Sequence, residues 1–158
     1  MNRKLESVFL SPCHFKKGFE KLDFAYIPSR KQYAAPLILR KLREFKEWGK
    51  ILAIVDVDIF APQLNFIFGE AELNGKYAII STARLKQKFY GLPPDEKLFK
   101  ERIQKKVMHE LGHTFGLLHC SSPECVMHFS NSLKDTDLKQ AEFCKCCQKK
   151  LEKFIKEH

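Results

Sequence analysis

Apolar residues in the first half of the chain follow patterns that predict four β-strands and one helix. The strand segments are rich in Ile, Val, Phe or Tyr and lie at residues 21–27, 51–57, 64–68 and 77–82. The turn pair Asn74-Gly75 precedes the last of them, as in a hairpin. From Pro36 apolar residues recur at helical spacing, and Gly49 stands where a helix would stop. This order of elements predicts an α/β opening.

The second half of the chain predicts a long helix followed by a cysteine-rich segment and a basic tail. The sequence Pro93-Pro94-Asp95 blocks a strand and offers a helix start. Over residues 96–115 an apolar residue recurs at every fourth position, and Gly116 marks the expected end. After a segment with few regular signals, residues 138–158 predict a Lys-rich amphipathic helix.

Composition narrows the class of protein. The chain has 158 residues, of which 44% are hydrophobic and 30% charged, and these values exclude a disordered or low-complexity chain. No apolar run reaches the length of a membrane span, and the first residues carry no apolar stretch of signal-peptide length. We therefore expect a cytoplasmic protein with no membrane partner.

The net charge of +9 is concentrated at one end, because residues 1–50 alone carry +7. A basic surface can bind nucleic acid or another acidic partner. Here the lysines form no dense run and few aromatic residues lie among them, so the pattern favours a solvated surface over a nucleic-acid site.

The residues that indicate chemistry lie between positions 109 and 119. On a helix His109 and His113 differ by about 40° in direction, so both imidazoles can bind one zinc ion. Gly116 lets the chain leave the helix sharply, so that His119 can return as a third ligand. Three neutral imidazoles leave one coordination position open, which is typical of a catalytic zinc site. Glu110, beside the first ligand, is the predicted general base.

The cysteines predict a second zinc site. Two close pairs offer the four thiolates of a closed structural site: Cys120, Cys125, Cys144 and Cys147. Cys146 could take the place of a neighbour, and Cys13 stands apart as a small core residue or a surface thiol. Because Cys120 directly follows His119, the structural zinc would fix the direction of the third imidazole.

At these residues the sequence resembles the metzincin metallopeptidases, and specifically the archaemetzincin family. The resemblance extends over residues 29–149, with an extra Cys146 and a gap of sixteen residues between Met127 and Cys144 as departures. It implies a zinc-dependent metallopeptidase with two zinc ions per chain, one catalytic and one structural. It also implies an α/β (α+β) fold in which a twisted mixed sheet and helices place the active-site helix at a cleft.

The resemblance further implies roles for individual residues. Met127 would be the Met-turn residue beneath the three imidazoles, and Phe129 stands where some metzincins carry a metal-reaching tyrosine. An edge strand would bind an extended peptide through the backbone of Leu64, Asn65, Phe66, Ile67 and Phe68. Residues 1–116 would form the sheet-and-helix subdomain and residues 117–158 a small zinc-stapled subdomain. We expect a monomer that acts on peptide or protein substrates.

Two functions remain open at this point. The first is a zinc metallopeptidase, acting as an endopeptidase or an aminopeptidase. The second is a metal-stabilised module that binds nucleic acid or another acidic partner, with little or no hydrolytic activity. Within the first, Lys105 and Lys106 lie one turn before His109 and could make the enzyme selective. Acidic residues that could bind a substrate amine are Asp56, Asp58, Glu70 and Glu72.

Overall fold

The computed structural model describes all 158 residues. Five α-helices, α1 to α5 in chain order, comprise Asn2–Phe9, Ala35–Leu42, Glu96–Thr114, Leu133–Leu138 and Lys145–Glu157. Six strands, β1 to β6, comprise Tyr26–Ile27, Gln32–Ala34, Ile51–Val55, Ile59–Phe60, Gly69–Ala71 and Tyr77–Ser81. Short 3₁₀ helices comprise Asp23–Ala25, Ala83–Leu85 and Gln87–Tyr90. This content confirms the mixed α/β (α+β) class.

The strands form two small sheets. In one sheet β2 pairs antiparallel with β1 and parallel with β4. In the other, β6 lies in the centre, pairs parallel with β3 and pairs antiparallel with β5. The sheet expected from the sequence is therefore mixed but divided in two, and β5 is left as a free edge beside α3.

The predicted strand at residues 64–68 is wrong. These residues form a loop with a single bridge, between Ile67 and Ile59, and the edge strand begins at Gly69. Of the loop, only the Phe68 carbonyl contacts β6, where it accepts a hydrogen bond from the Ser81 N–H. The Arg30 guanidinium donates hydrogen bonds to the carbonyl oxygens of Leu64 at 2.7 Å and Asn65 at 3.2 Å. A distant arginine therefore uses the carbonyls that a strand would have offered to a neighbour.

Other boundaries also differ from the predictions. Within residues 21–27 only Tyr26–Ile27 is a strand, because residues 23–25 coil into a 3₁₀ turn. Helix α2 ends at Leu42, well before Gly49, and Phe45 turns away to pack edge-on against Phe19. Strand β3 is a half-buried edge strand, paired only with β6. The tail helix begins at residue 145, and the sequence patterns missed α1 and α4.

Helix α3 confirms the prediction for the active-site helix. Its N-cap Asp95 accepts a hydrogen bond from the backbone N–H of Leu98 at 2.9 Å, and Gly116 follows its end with φ of 80°. Its second half is buried on several sides, because it packs against β5 and β6 and also against the C-terminal segments. The functional side chains of this helix are thus fixed within the protein.

The apolar core is continuous across the predicted subdomain boundary. One cluster joins Leu5 and Phe9 of α1 to Met108 of α3 and to Val126 and Leu151 of the C-terminal region. A second cluster packs α2 against both sheets. The division into residues 1–116 and 117–158 stays a prediction. No helix combines the length and the apolar character that crossing a membrane would require.

Candidate metal centre and active site

Helix α3 and the turn after it bring three imidazoles together. His109 and His113 lie one turn apart on the helix, and the chain reverses at Gly116 to bring His119 beside them. One nitrogen from each ring lies within 4.8 Å of the other two, and the ring centroids are 4.7 to 5.3 Å apart. The three histidines predicted from the sequence thus form one group, which we call the histidine group.

The hydrogen bonds of two imidazoles indicate that a cation belongs between them. The Nδ1 atoms of His109 and His113 lie 2.7 Å from the carbonyl oxygens of Val126 and Leu117. A carbonyl only accepts, so both Nδ1 atoms carry the proton, and both Nε2 atoms then carry lone pairs. These two Nε2 atoms are 3.1 Å apart. Two lone pairs at this distance repel unless a positive ion lies near both, and a zinc ion fits this requirement.

Burial keeps the histidine group in the form that binds metal. Desolvation lowers the pKa of His109 well below its ordinary value, and the charge of Lys139 acts in the same direction. Desolvation also lowers the pKa of His113 and of His119. All three imidazoles are therefore neutral near pH 7, as zinc ligation requires.

Glu110 is a buried carboxylate beside the histidine group. A Cβ atom on Gly69 would lie 2.7 Å from Glu110 Oε1 and 2.8 Å from its Cγ, so the edge strand can approach the carboxylate only because residue 69 is glycine. Burial raises the pKa of Glu110 to about 7, against the opposing charges of Lys106 and Lys139. Sequence reasoning missed Gly69, for which a glycine at the start of a strand was the available signal.

Met127 lies directly beneath the helix, fully buried. A Cβ atom on Gly112 would lie 2.5 Å from Met127 Sδ, so the sulfur occupies the space that a side chain at position 112 would fill. This contact places the Met127 sulfur against α3 at Gly112, one residue before His113. Sequence reasoning gave Gly112 no role, although a glycine inside a helix often marks close packing.

The four predicted cysteines form a second group, the cysteine group. The Sγ atoms of Cys120, Cys125, Cys144 and Cys147 lie within 4.8 Å of one another, and no disulfide joins them. The Cys144 N–H lies 3.3 Å from Cys125 Sγ, and the backbone N–H of Cys147 holds the pKa of Cys144 down to about 7. Four thiols from two pairs fit a structural zinc ion. Cys146 is exposed, and neither it nor Cys13 belongs to the group.

Short hydrogen bonds connect the two groups. The Cys120 N–H donates to the Met127 carbonyl at 3.0 Å, and His128 Nδ1 donates to the Cys120 carbonyl at 2.8 Å. Lys139 Nζ donates to the His128 carbonyl at 2.8 Å and lies 3.2 Å from Nδ1 of His109. No sequence pattern marked this buried lysine, because it is thirty residues away from His109 along the chain.

Comparison with known families gives matches over most of the chain. The model of peptidase family M54 matches residues 14–153. The archaemetzincin of Methanocaldococcus jannaschii is 50% identical over 152 residues, which cover 96% of this chain and 83% of that protein. The archaemetzincin of Pyrococcus horikoshii is 51% identical over 160 residues, covering 93% of this chain and 85% of that protein.

Solved structures give the same result for the fold. The archaemetzincin of Methanopyrus kandleri superposes with a TM-score of 0.89 at 39% identity, covering 98% of this chain and 83% of that one. A zinc-dependent peptidase from Methanocorpusculum labreanum superposes with a TM-score of 0.84 at 32% identity, covering 95% and 90% of the two chains.

These findings confirm the resemblance and, with it, zinc as the cofactor and peptides as the class of substrate. They do not favour a binding module without hydrolytic activity. The chain belongs to peptidase family M54, the archaemetzincin family of zinc metallopeptidases.

Proposed function

We propose that this chain hydrolyses peptide bonds with Glu110 as the general base, at a zinc ion held by His109, His113 and His119. The observation that carries the proposal is the 3.1 Å separation of the Nε2 atoms of His109 and His113, on the helical turn that also carries the buried Glu110. When bound, zinc supplies Lewis acidity, which makes water more acidic and a carbonyl carbon more electrophilic. The remaining steps fall to the side chains of the protein.

Glu110 can move one proton through both halves of the reaction. Its carboxylate accepts a proton from the attacking water and then donates it to the nitrogen of the leaving amine. The pKa of Glu110, raised to about 7 by burial, makes the group a competent acceptor and a competent donor near neutral pH. The contact with Gly69 restricts the carboxylate to one place beside the edge strand.

We propose that the substrate backbone lies along β5 and not along residues 64–68. The Ser81 N–H donates to the Phe68 carbonyl and the Glu72 N–H donates to the Tyr77 carbonyl, so alternate residues of this segment face β6. The backbone groups of Gly69 and Ala71, between them, face the free edge. An extended peptide can pair with them as an antiparallel strand, and Gly69 brings that strand next to Glu110.

The backbone predicted earlier for this role is largely engaged elsewhere. Arg30 binds the carbonyl oxygens of Leu64 and Asn65, and Gln32 Nε2 also donates to the Asn65 carbonyl at 2.8 Å. The Ile67 N–H donates to Ile59. Their engagement favours moving the proposed peptide-binding edge to β5.

We further propose that the cysteine group binds a structural zinc ion and that Met127 supports the catalytic one. Four thiolates close the coordination shell, which suits a structural role. The contact of Met127 with Gly112 supports its place as the floor of the histidine group.

Replacing the proposed general base tests the mechanism directly. In Glu110→Gln we expect kcat/KM for a quenched-fluorescence peptide to fall by about 1,000-fold, because an amide in place of the carboxylate cannot accept the proton of the attacking water. Zinc content should stay at the wild-type level. The control is Glu101→Gln, an exposed glutamate on the same helix, which should cleave like the wild type. Cleavage by Glu110→Gln at the wild-type rate would overturn the assignment.

Metal analysis tests the two zinc sites. We expect two zinc ions per chain, because the chain carries an open site and a closed site. A chelator should remove one ion quickly, with loss of hydrolysis but retention of the folded circular dichroism spectrum. Finding one zinc ion per chain in a fully active protein would refute the assignment of the cysteine group.

A further inference from the structure

Three buried lysines lie near the active site, and they differ in the hydrogen-bond acceptors that the protein provides for their ammonium groups. The residues Lys105, Lys106 and Lys139 are 8%, 3% and 1% exposed. Lys105 Nζ donates to the Asp137 carbonyl at 3.1 Å, and Lys139 Nζ donates to the His128 carbonyl at 2.8 Å. Lys106 Nζ has no acceptor within hydrogen-bond distance and no carboxylate oxygen within 4.0 Å. It is not one of the buried polar atoms that lack a hydrogen bond, so the Lys106 stem is buried while its ammonium reaches solvent without a protein acceptor.

Lys106 Nζ lies at the end of the edge strand, beside the proposed general base. It is 4.4 Å from the centroid of the Phe68 ring, and Phe68 immediately precedes Gly69, which contacts Glu110. On α3, Lys106 lies one turn before Glu110. The ammonium is thus held between the helix and the first residue of β5.

An ammonium that has only water and an aromatic ring as neighbours, beside a largely buried site, lacks the strong acceptor that a charged donor prefers. A ligand that brings a charged acceptor can take the place of that water. The nearby carboxylate of Glu110 does not pair with Lys106, and its proposed task is proton transfer. An anion that enters with the substrate can therefore serve as the acceptor for this ammonium.

We propose that Lys106 binds a carboxylate of the substrate on the leaving-group side of the scissile bond. A peptide antiparallel to β5 has its C-terminal half next to Phe68, where the ammonium lies. This proposal rests on the proposed hydrolysis and on peptide pairing with β5. The carboxylate can be the α-carboxylate of a C-terminal residue or the side chain of Asp or Glu. Lys106 thereby selects acidic or C-terminal peptide segments.

Matched peptides test the preference and identify the source of the carboxylate. In one pair the first residue after the scissile bond is Asp in one peptide and Asn in the other. In the second pair that residue is the last of the peptide, with a free α-carboxylate in one member and an amide in the other. With the zinc-loaded wild type we expect kcat/KM to be at least about 10-fold higher for the carboxylate member of one pair than for its neutral partner. A hydrogen bond to a charged group contributes enough free energy for a difference of this size. Equal values within both pairs would overturn the proposal.

Variants at position 106 connect that preference to the lysine. Lys106→Met keeps the aliphatic stem and removes the charge, so the preference should disappear while the neutral peptide is still cleaved. Lys106→Arg should retain most of the preference. The matched control is Lys105→Met, which removes the neighbouring buried lysine and should leave the preference unchanged. A preference that survives in Lys106→Met would refute the role of Lys106.

A binding measurement separates this proposal from the hydrolytic mechanism. In zinc-loaded Glu110→Gln, fluorescence anisotropy should show the carboxylate peptide binding about 10-fold more tightly than its neutral partner. Adding Lys106→Met should abolish that difference. Lys106-dependent binding with no cleavage by the wild type would refute only the proposed hydrolysis. Cleavage without any preference for a carboxylate would refute only the role of Lys106. Because this outcome is measured with the wild type, it holds even if Lys106→Met fails to fold.

Discussion

The histidine group and the cysteine group are adjacent in the chain, at His119 and Cys120, but they are assembled differently. The histidine donors come from one helix and the turn that follows it, within residues 109–119. The cysteine donors come from two segments, one ending at Cys125 and the other beginning at Cys144, the N-cap of α5. The first group is thus set by local geometry, whereas the second exists only when distant segments have packed.

The difference matches the two roles proposed for zinc. Three neutral imidazoles leave room for a reactant, and His119 at the rim is exposed. Four thiols complete a coordination shell, and two of them, Cys125 and Cys147, are buried in the same core as Met127. An open site suits reaction and exchange, and a closed site suits retention of the fold. Three perturbations should affect the two groups unequally, and a fourth should leave both unchanged.

Loss of a buried thiol should have the largest effect. For Cys147→Ser we expect a fall of more than about 4 kcal/mol in the free energy of unfolding, because the structural zinc and its packing are lost together. Urea denaturation and zinc analysis measure both. The control is the exposed Cys146→Ser, which should stay within about 0.5 kcal/mol of the wild type. Equal effects at the two positions would contradict the assignment of the cysteine group.

Crowding the contact between Gly112 and Met127, the proposed floor of the histidine group, should reduce stability less than the loss of a buried thiol. It should also weaken only one of the two zinc ions. In Gly112→Ala the new methyl group meets Met127 Sδ, so we expect a loss of about 2 kcal/mol in stability. Chelator competition should show weaker binding of the exchangeable zinc only. Gly18→Ala is the control, because nothing lies within 4 Å of a Cβ atom there. Wild-type stability in Gly112→Ala would show that Met127 is not held against the helix.

Acid should act on the histidine group of the metal-free protein. Burial lowers the pKa of these histidines, so below pH of about 6.5 the unfolded chain binds protons that the folded chain refuses. Stability should therefore fall between pH 7 and pH 5, by at most about 1.4 kcal/mol per pH unit for each histidine.

The pH series is best done in a Glu110→Gln background. The raised pKa of Glu110 works in the opposite sense, because the folded chain takes up that proton before the unfolded chain does. Urea denaturation at pH 7, 6 and 5 after chelation gives the slope. Stability that rises towards pH 5 in this background would contradict the burial of neutral imidazoles.

The N-terminal cap of α3 should have the smallest effect and should not distinguish the two groups. Asp95→Ala removes the hydrogen bond to the Leu98 N–H, so we expect a loss of about 1 kcal/mol. Zinc content should remain at two ions per chain. A selective loss of zinc from one group would show that the cap controls the geometry of that group, three turns or more away.

Local signals explain which features the sequence could predict. Asp95 and Gly116 mark the ends of α3 through their own hydrogen bonding and backbone angle, and the structure has both. The spacing of the histidines needs only helical geometry, so their convergence was predictable. Helix α4 also had a local signal that was overlooked, because Ser132 and Asp135 form a capping box.

Features that depend on distant partners were not predictable in this way. The segment at residues 64–68 has the composition of a strand, but Arg30 captures its carbonyl groups from more than thirty positions away. Likewise, the closeness of Gly69 to Glu110 arises from the packing of β5 on α3. Periodicity reports which side of a segment is apolar, and it does not report which element will lie against it.

The hydrogen bonds of Cys120 have a consequence for the order in which the enzyme matures on the ribosome. Cys120, the residue after His119, is oriented by hydrogen bonds to Met127 and from His128, and its Sγ atom lies 3.8 Å from that of Cys144. These three partners are synthesised later than the active-site helix. A nascent chain that has emerged only as far as Gly116 holds Glu110 but only two of the three imidazoles. The direction of His119 therefore depends on residues that are added to the chain after it.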